Sequence, residues 1–142
     1  MTRTTPMAVA LLLVGCALST GQEVEPDGTL SEPVEIVLPF AEVVSAGGTL
    51  TLVLTAVSED SRCPTDVECI WEGNAAVHIS ISGLDGRPTP LALNTALEPQ
   101  ASEWNAIRVT LLGLTPSPRS DRTIEPEQYV ARVRLEPVPA GG

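Results

Sequence analysis

Residues Glu59–Ala75 read EDSRCPTDVECIWEGNA. This stretch holds Cys63 and Cys69, one of the two tryptophans (Trp71), and the acids Glu59, Asp60, Asp66, Glu68 and Glu72. Alternating apolar segments flank it. Before it, Thr49–Val57 (TLTLVLTAV) puts Leu50, Leu52, Leu54 and Ala56 on one face and Thr49, Thr51 and Thr55 on the other. That period of two predicts a strand with one buried and one wet face. After it, Cys69, Trp71, Gly73, Ala75, Val77, Ile79 and Ile81 share one parity, and Glu72, Asn74, His78, Ser80 and Ser82 the other. The stretch is therefore expected to be a disulfide-closed loop feeding a central strand. Cys69 and Trp71 should point into the core together, a packing common in β-sandwiches. Gly73 should mark a bulge or bend where loop becomes strand.

The remaining segments repeat the pattern. Val34–Leu38 is a strand candidate interrupted by Pro39, which suggests a sheet edge or a bulge. Phe40–Val44 continues it or forms a second strand, and Ser45–Gly48 is a turn. Gly83–Pro88 (GLDGRP) is a turn with Asp85-Gly86 at its tip. Leu91–Asn94 is a short strand. Thr95–Asn105 is polar and irregular, with Trp104 near its end. Ile107–Leu114 alternates with Ile107, Val109 and Leu111 inward; Thr115–Arg122 is a proline-rich loop. Gln128–Leu135 closes the sheet with Tyr129, Ala131, Val133 and Leu135 inward and Arg132 and Arg134 in water. The 13 prolines and 11 glycines separate these runs, and helix-favouring stretches are scarce. The expected fold is all-β: a small antiparallel β-sandwich (Ig-like) or a partly open barrel of six to seven strands. It should occupy residues 34–136, with 137–142 a loose tail.

The N-terminus reads as an address. Arg3 precedes the apolar run Met7–Val14, too short to span a bilayer, which needs about 20 residues, but fitting a secretory signal. Leu13-Val14-Gly15-Cys16 resembles the bacterial lipobox. The resemblance implies that residues 1–15 are a lipoprotein signal peptide and that Cys16 is lipidated, with a diacylglyceryl thioether and an N-acyl chain. Two or more acyl chains give stable anchoring. Ala17 after the cysteine resembles the outer-membrane sorting pattern, should the cell be Gram-negative. Residues 16–33 then form an acidic, Gly- and Pro-punctuated tether. The alternative is an ordinary secretory signal with an incidental cysteine.

If Cys16 is acylated, Cys63 and Cys69 remain as a pair. Export to an oxidising compartment makes a disulfide the default, worth roughly 2–2.5 kcal/mol for so short a loop by chain-entropy reasoning. A redox-active pair and a metal site are the alternatives. The spacing fits neither Cys-x-x-Cys nor the common zinc patterns, and His78 is the only histidine. No metal ligand set is assigned.

The net charge of −10 argues against nucleic-acid binding. His78 lies on the wet face of its strand, so it is no base for a nucleophile, and no Gly-x-Ser-x-Gly elbow, phosphate loop or His-Glu-x-x-His motif occurs. No catalytic residue is assigned. The acids around the disulfide could coordinate Ca²⁺ or act as an acid/base pair in a carboxylate-based hydrolase. The simpler reading is solvated charge, with Asp60 or Asp66 bonding local amides or Arg62.

The pattern Glu-Asp-Ser-Arg-Cys-Pro-x4-Cys-x-Trp-x-Gly-x-Ala, here Glu59 to Ala75, resembles a motif of uncharacterised bacterial secreted proteins and lipoproteins. Leu93–Thr95, Leu112–Pro118 and Ile124–Tyr129 look similar to the second half of that family, so the resemblance spans Val34–Leu135. It implies a small β domain outside the cytoplasm and brings no activity. The resulting expectation is a lipid-anchored, non-enzymatic module of the cell envelope that binds another envelope protein or a glycan. Asp60, Arg62, Asp66, Glu68, Glu72 and Trp104 are the candidate contact residues, because loops on a rigid scaffold carry recognition. Trp71 and Gly73 are the structural ones.

Overall fold

The computed structural model describes residues 30–139. The chain is all-β, with eight strands: β1 (Val34–Pro39), β2 (Val43–Ala46), β3 (Leu50–Ser58), β4 (Ala76–Ser82), β5 (Thr89–Asn94), β6 (Ala101–Trp104), β7 (Ile107–Thr115) and β8 (Val130–Pro137). A 3₁₀ turn at Pro126–Gln128 precedes β8. Two four-stranded antiparallel sheets, ordered β1-β8-β7-β6 and β2-β3-β4-β5, face each other as an open sandwich. The signal segment and Cys16 lie outside the described residues.

The connectivity is simple. β2 to β5 form one meander, β6 to β8 another, and β1 returns to pair with β8. The chain changes sheets at two seams. At the first, Ala41 takes φ +59 and its amide donates to the Leu54 carbonyl at 2.9 Å. At the second, β5 gives way to β6. Pro39 does sit on an edge strand, as a residue without an amide donor should.

Alternation built the core. Leu52, Leu54, Val77, Ile79, Ile81, Leu93, Val109, Val133 and Leu135 are at most 1 % exposed. Two bulges reset the period. β3 slips between Leu54 and Ala56, so Ala56 pairs with His78 on the outer face, and the expected inward Ala56 is exposed. The inward series resumes at Val57, which packs against the core. β7 slips between Leu111 and Gly113, which turns Leu114 inward. A bulge inserts one unpaired residue, so every later side chain changes face.

Other expectations need correction. Ala101–Trp104, inside the stretch expected to be irregular, is strand β6, joined to β7 by Asn105-Ala106. Asn105 takes φ +52 there, a conformation that asparagine tolerates. β8 lies in the middle of its sheet, not at its edge, and Arg134 pairs with Glu35 of β1. The turn after β4 closes with the Gly86 amide on the Gly83 carbonyl, which puts Leu84-Asp85 at the tip. The folded unit extends further than residues 34–136. Leu30 is buried over Gly47, and the Val138 amide donates to the Ala106 carbonyl at 2.8 Å.

Candidate functional site

The loop between β3 and β4 is the largest irregular feature that the sheets hold up. Its base is a short ladder: the Ser61 amide donates to the Asn74 carbonyl at 2.7 Å and the Cys63 amide to the Glu72 carbonyl at 2.8 Å. Gly73 turns inside this ladder at φ +70. A Cβ there would sit 1.8 Å from the Ser61 carbonyl oxygen, so only glycine lets the two limbs close. The bend expected at Gly73 is present, as a close approach of backbone to backbone. The Cys63–Cys69 disulfide closes the outer half of the loop, with 6.0 Å between the Cα atoms.

Asp60 and Arg62 fasten the loop to the opposite sheet. The Asp60 carboxylate accepts from Arg62 Nε at 2.8 Å and Nη2 at 2.7 Å, and from Tyr129 Oη at 2.8 Å. Arg62 also donates to the carbonyls of Leu114 at 2.7 Å and Pro116 at 3.0 Å. Both charged side chains are nearly buried, at 12 % exposure for Arg62 and 14 % for Asp60. A bidentate pair with its remaining donors satisfied is the form in which a buried ion pair is tolerated. Burial alone would raise the Asp60 pKa, but the hydrogen bonds from Arg62 and Tyr129 outweigh it and hold the carboxyl below its usual range. Tyr129 is pushed up to about 12, by burial first and then by donating to Asp60.

A second clasp lies further out. The Thr65 amide donates to the Pro118 carbonyl at 3.0 Å, and the Asp66 carboxylate accepts from the Ser120 amide at 2.9 Å and from its hydroxyl. These bonds from Ser120 hold the Asp66 pKa down. Asn74 organises the third side. It is only 6 % exposed; its Oδ1 accepts from the amides of Ala96 and Leu97, and its Nδ2 donates to Asn94 Oδ1. Its parity placed Asn74 on the wet face, and the sequence reading missed it. Its position one residue after the glycine bend was the available signal, since asparagine commonly satisfies backbone groups next to a turn.

The two tryptophans exchange the roles expected of them. Trp71 is 62 % exposed, and Ile70 beside it is fully exposed. β4 begins only at Ala76, and the turn at Gly73 breaks the parity that was to carry Cys69 and Trp71 inward. The disulfide and the indole therefore belong to the surface loop, not to the core. Trp104 lies on the inner side of β6 opposite buried Ile107, packs over Gly83, and donates through Nε1 to Thr89 Oγ1 at 3.0 Å. It bridges the seam between β5 and β6 and is committed to the core margin.

The acids do not converge. Asp60 faces inward to Arg62, Asp66 faces Ser120, and Glu68 and Glu72 are exposed. Among the described residues no three His, Cys, Asp or Glu side chains gather as a ligand set. A cleft of about 270 Å³ lies between the loop, Thr95-Ala96 and Ser117-Pro118; Glu72 is the one acid lining it. What the loop does offer is an apolar tip, Val67, Ile70 and Trp71, rimmed by Glu68 and Glu72. Three independent clasps hold it. Comparison of the chain with protein-family models, with curated proteins and with solved structures finds no match.

Proposed function

We propose that this protein is a lipid-anchored binding module of the bacterial cell envelope, attached through acylated Cys16 and engaging its partner with the tip of the disulfide loop. The partner is another envelope protein or a glycan, and the outer membrane is the site if the cell is Gram-negative. The observation that carries this reading is Ile70 and Trp71 standing in solvent on a loop fixed to both sheets. An exposed aromatic costs solvation unless something covers it, and a preorganised one loses little entropy when it is covered. The lipobox-like residues Leu13–Cys16 and a disulfide suited to an oxidising compartment support the location.

Two measurements test the parts separately. Mass spectrometry of the mature protein is expected to find a diacylglyceryl and an acyl group on an N-terminal Cys16; an unacylated N-terminus elsewhere overturns the anchor. For the tip, Ile70→Ser with Trp71→Ala is expected to weaken retention of envelope components by tenfold or more, with the melting temperature unchanged. Equal retention by the variant and the parent chain removes the tip from the binding surface.

A further inference from the structure

The two outer faces of the sandwich differ in kind. The outer face of the β1-β8-β7-β6 sheet carries Glu35, Glu103, Arg108, Arg132, Arg134 and Glu136, with Arg134–Glu35 and Arg108–Glu103 ion pairs. The outer face of the β2-β3-β4-β5 sheet carries no Asp, Glu or Arg at all. Its central row, in register across all four strands, is Val43, Val53, Ser80 and Pro90. In a chain of net charge −10, a whole sheet face without a charged group is a conspicuous departure. Depletion of charge is one compositional mark of an interface core.

Several polar atoms of this face are already partnered within it. Thr51 Oγ1 and Ser82 Oγ share a hydrogen bond at 2.6 Å, Thr55 Oγ1 donates to the His78 carbonyl at 3.0 Å, and Ser58 Oγ lies 2.8 Å from His78 Nε2. Removing water from these groups leaves them bonded, so covering the face carries little of the penalty for burying unpaired polar atoms. Apart from His78 and Asn94, the side chains are short.

We infer that this face is a self-association surface, on which a second copy of the chain packs sheet to sheet. Charge selects that occupant. Two strongly acidic molecules repel wherever their loops meet, and this is the face where two copies approach without opposing like charges. A face paired with itself gives a closed two-fold dimer. Four strands about 4.8 Å apart and about seven residues long cover roughly 19 by 24 Å. Two such faces bury on the order of 1,000 Å², the lower bound for specific association, so a weak, reversible dimer is expected. The inference does not depend on what the loop tip binds.

Sedimentation velocity of the chain as isolated from cells, in detergent where it is acylated, reads the outcome. A monomer–dimer equilibrium is expected below ~100 µM. Ser80→Glu and Val53→Lys should each weaken it at least tenfold, and Thr110→Glu on the opposite outer face should leave it unchanged. Circular dichroism confirms that each variant is folded. Should either charged variant fail to fold, Ser80→Cys takes its place and is expected to give a covalent dimer on oxidation. A chain that stays monomeric, a dimer indifferent to both charged variants, or a Ser80→Cys chain that yields no covalent dimer overturns the inference.

Discussion

Tyr129 and Asp60 share one hydrogen bond, and the two groups bound the stable range of pH from opposite sides. Tyr129 titrates at about 12 in the folded chain against 10.0 ordinarily, so its contribution is whole below pH 10 and is lost as pH rises from 10 through 12. Asp60 is shifted down, so its contribution is present above the ordinary carboxylate range near ~4 and is lost as pH falls through its lower folded value. Tyr129→Phe is expected to flatten the alkaline limb of the melting temperature profile between pH 10 and 12, and to cost about 1–2 kcal/mol at neutral pH. A limb unchanged in that variant assigns it to other groups. Asp60→Asn leaves Arg62 without its counter-charge and should cost about 2–4 kcal/mol by denaturant titration. Gly73→Ala meets both the φ of +70 and the Ser61 carbonyl, so a loss of at least about 2 kcal/mol is expected; a variant as stable as the parent shows that the two limbs are not in contact. The tryptophans separate by quenching. Acrylamide should reach Trp71 freely and Trp104 poorly, and Trp71→Phe should abolish most of the quenchable emission.

The disulfide loop behaves as an element of its own, with a covalent closure on its outer half and hydrogen-bonded clasps at its base. Replacing Cys63 and Cys69 by serine is expected to cost about 2 kcal/mol by the chain-entropy account. The clasps of Asp60, Arg62 and Asn74 keep the base in place, so the loss should appear as faster hydrogen exchange at residues 64–70 with little change at Ser61 and Asn74. Uniform exchange across the loop would show that the ring, not the clasps, sets its shape. The elements most legible in the sequence were those whose inward residues alternate over five or more positions without a break: β1, β3 up to Leu54, β4 from Ala76, β7 up to Leu111 and β8. Parity failed wherever the backbone inserted a residue or reversed. The bulge before Ala56 turned that residue out, and the turn at Gly73 detached Cys69, Trp71 and Asn74 from the strand series. β6 escaped notice because Ala101–Trp104 is short and mostly polar; it is held by pairing with β7 rather than by an apolar pattern of its own. Of the candidate site residues, Asp60 and Arg62 were legible as a local pair, whereas their grip on Tyr129, Leu114 and Pro116 joins positions more than fifty residues apart.

Taken whole, the molecule divides its surface by chemistry: an ion-paired sheet face, an uncharged sheet face, and acidic loops between them. Electrostatics should therefore reach beyond single pairs. Raising ionic strength screens the repulsion among the acids, and a modest rise in melting temperature between about 0.01 and 0.15 M salt is expected, because the Debye length contracts from about 30 to about 8 Å over that range. A melting temperature that falls instead would give the exposed ion pairs Arg134–Glu35 and Arg108–Glu103 more weight than self-repulsion. The pairing of β1 with β8 has a consequence of another sort. Val34 stands opposite Leu135, so the chain enters and leaves the domain side by side. A short linker could splice those two ends, and fresh termini could be opened in the Leu84-Asp85 hairpin, without moving a strand. Such a circular permutant would keep the architecture while moving the chain ends to the Leu84-Asp85 hairpin.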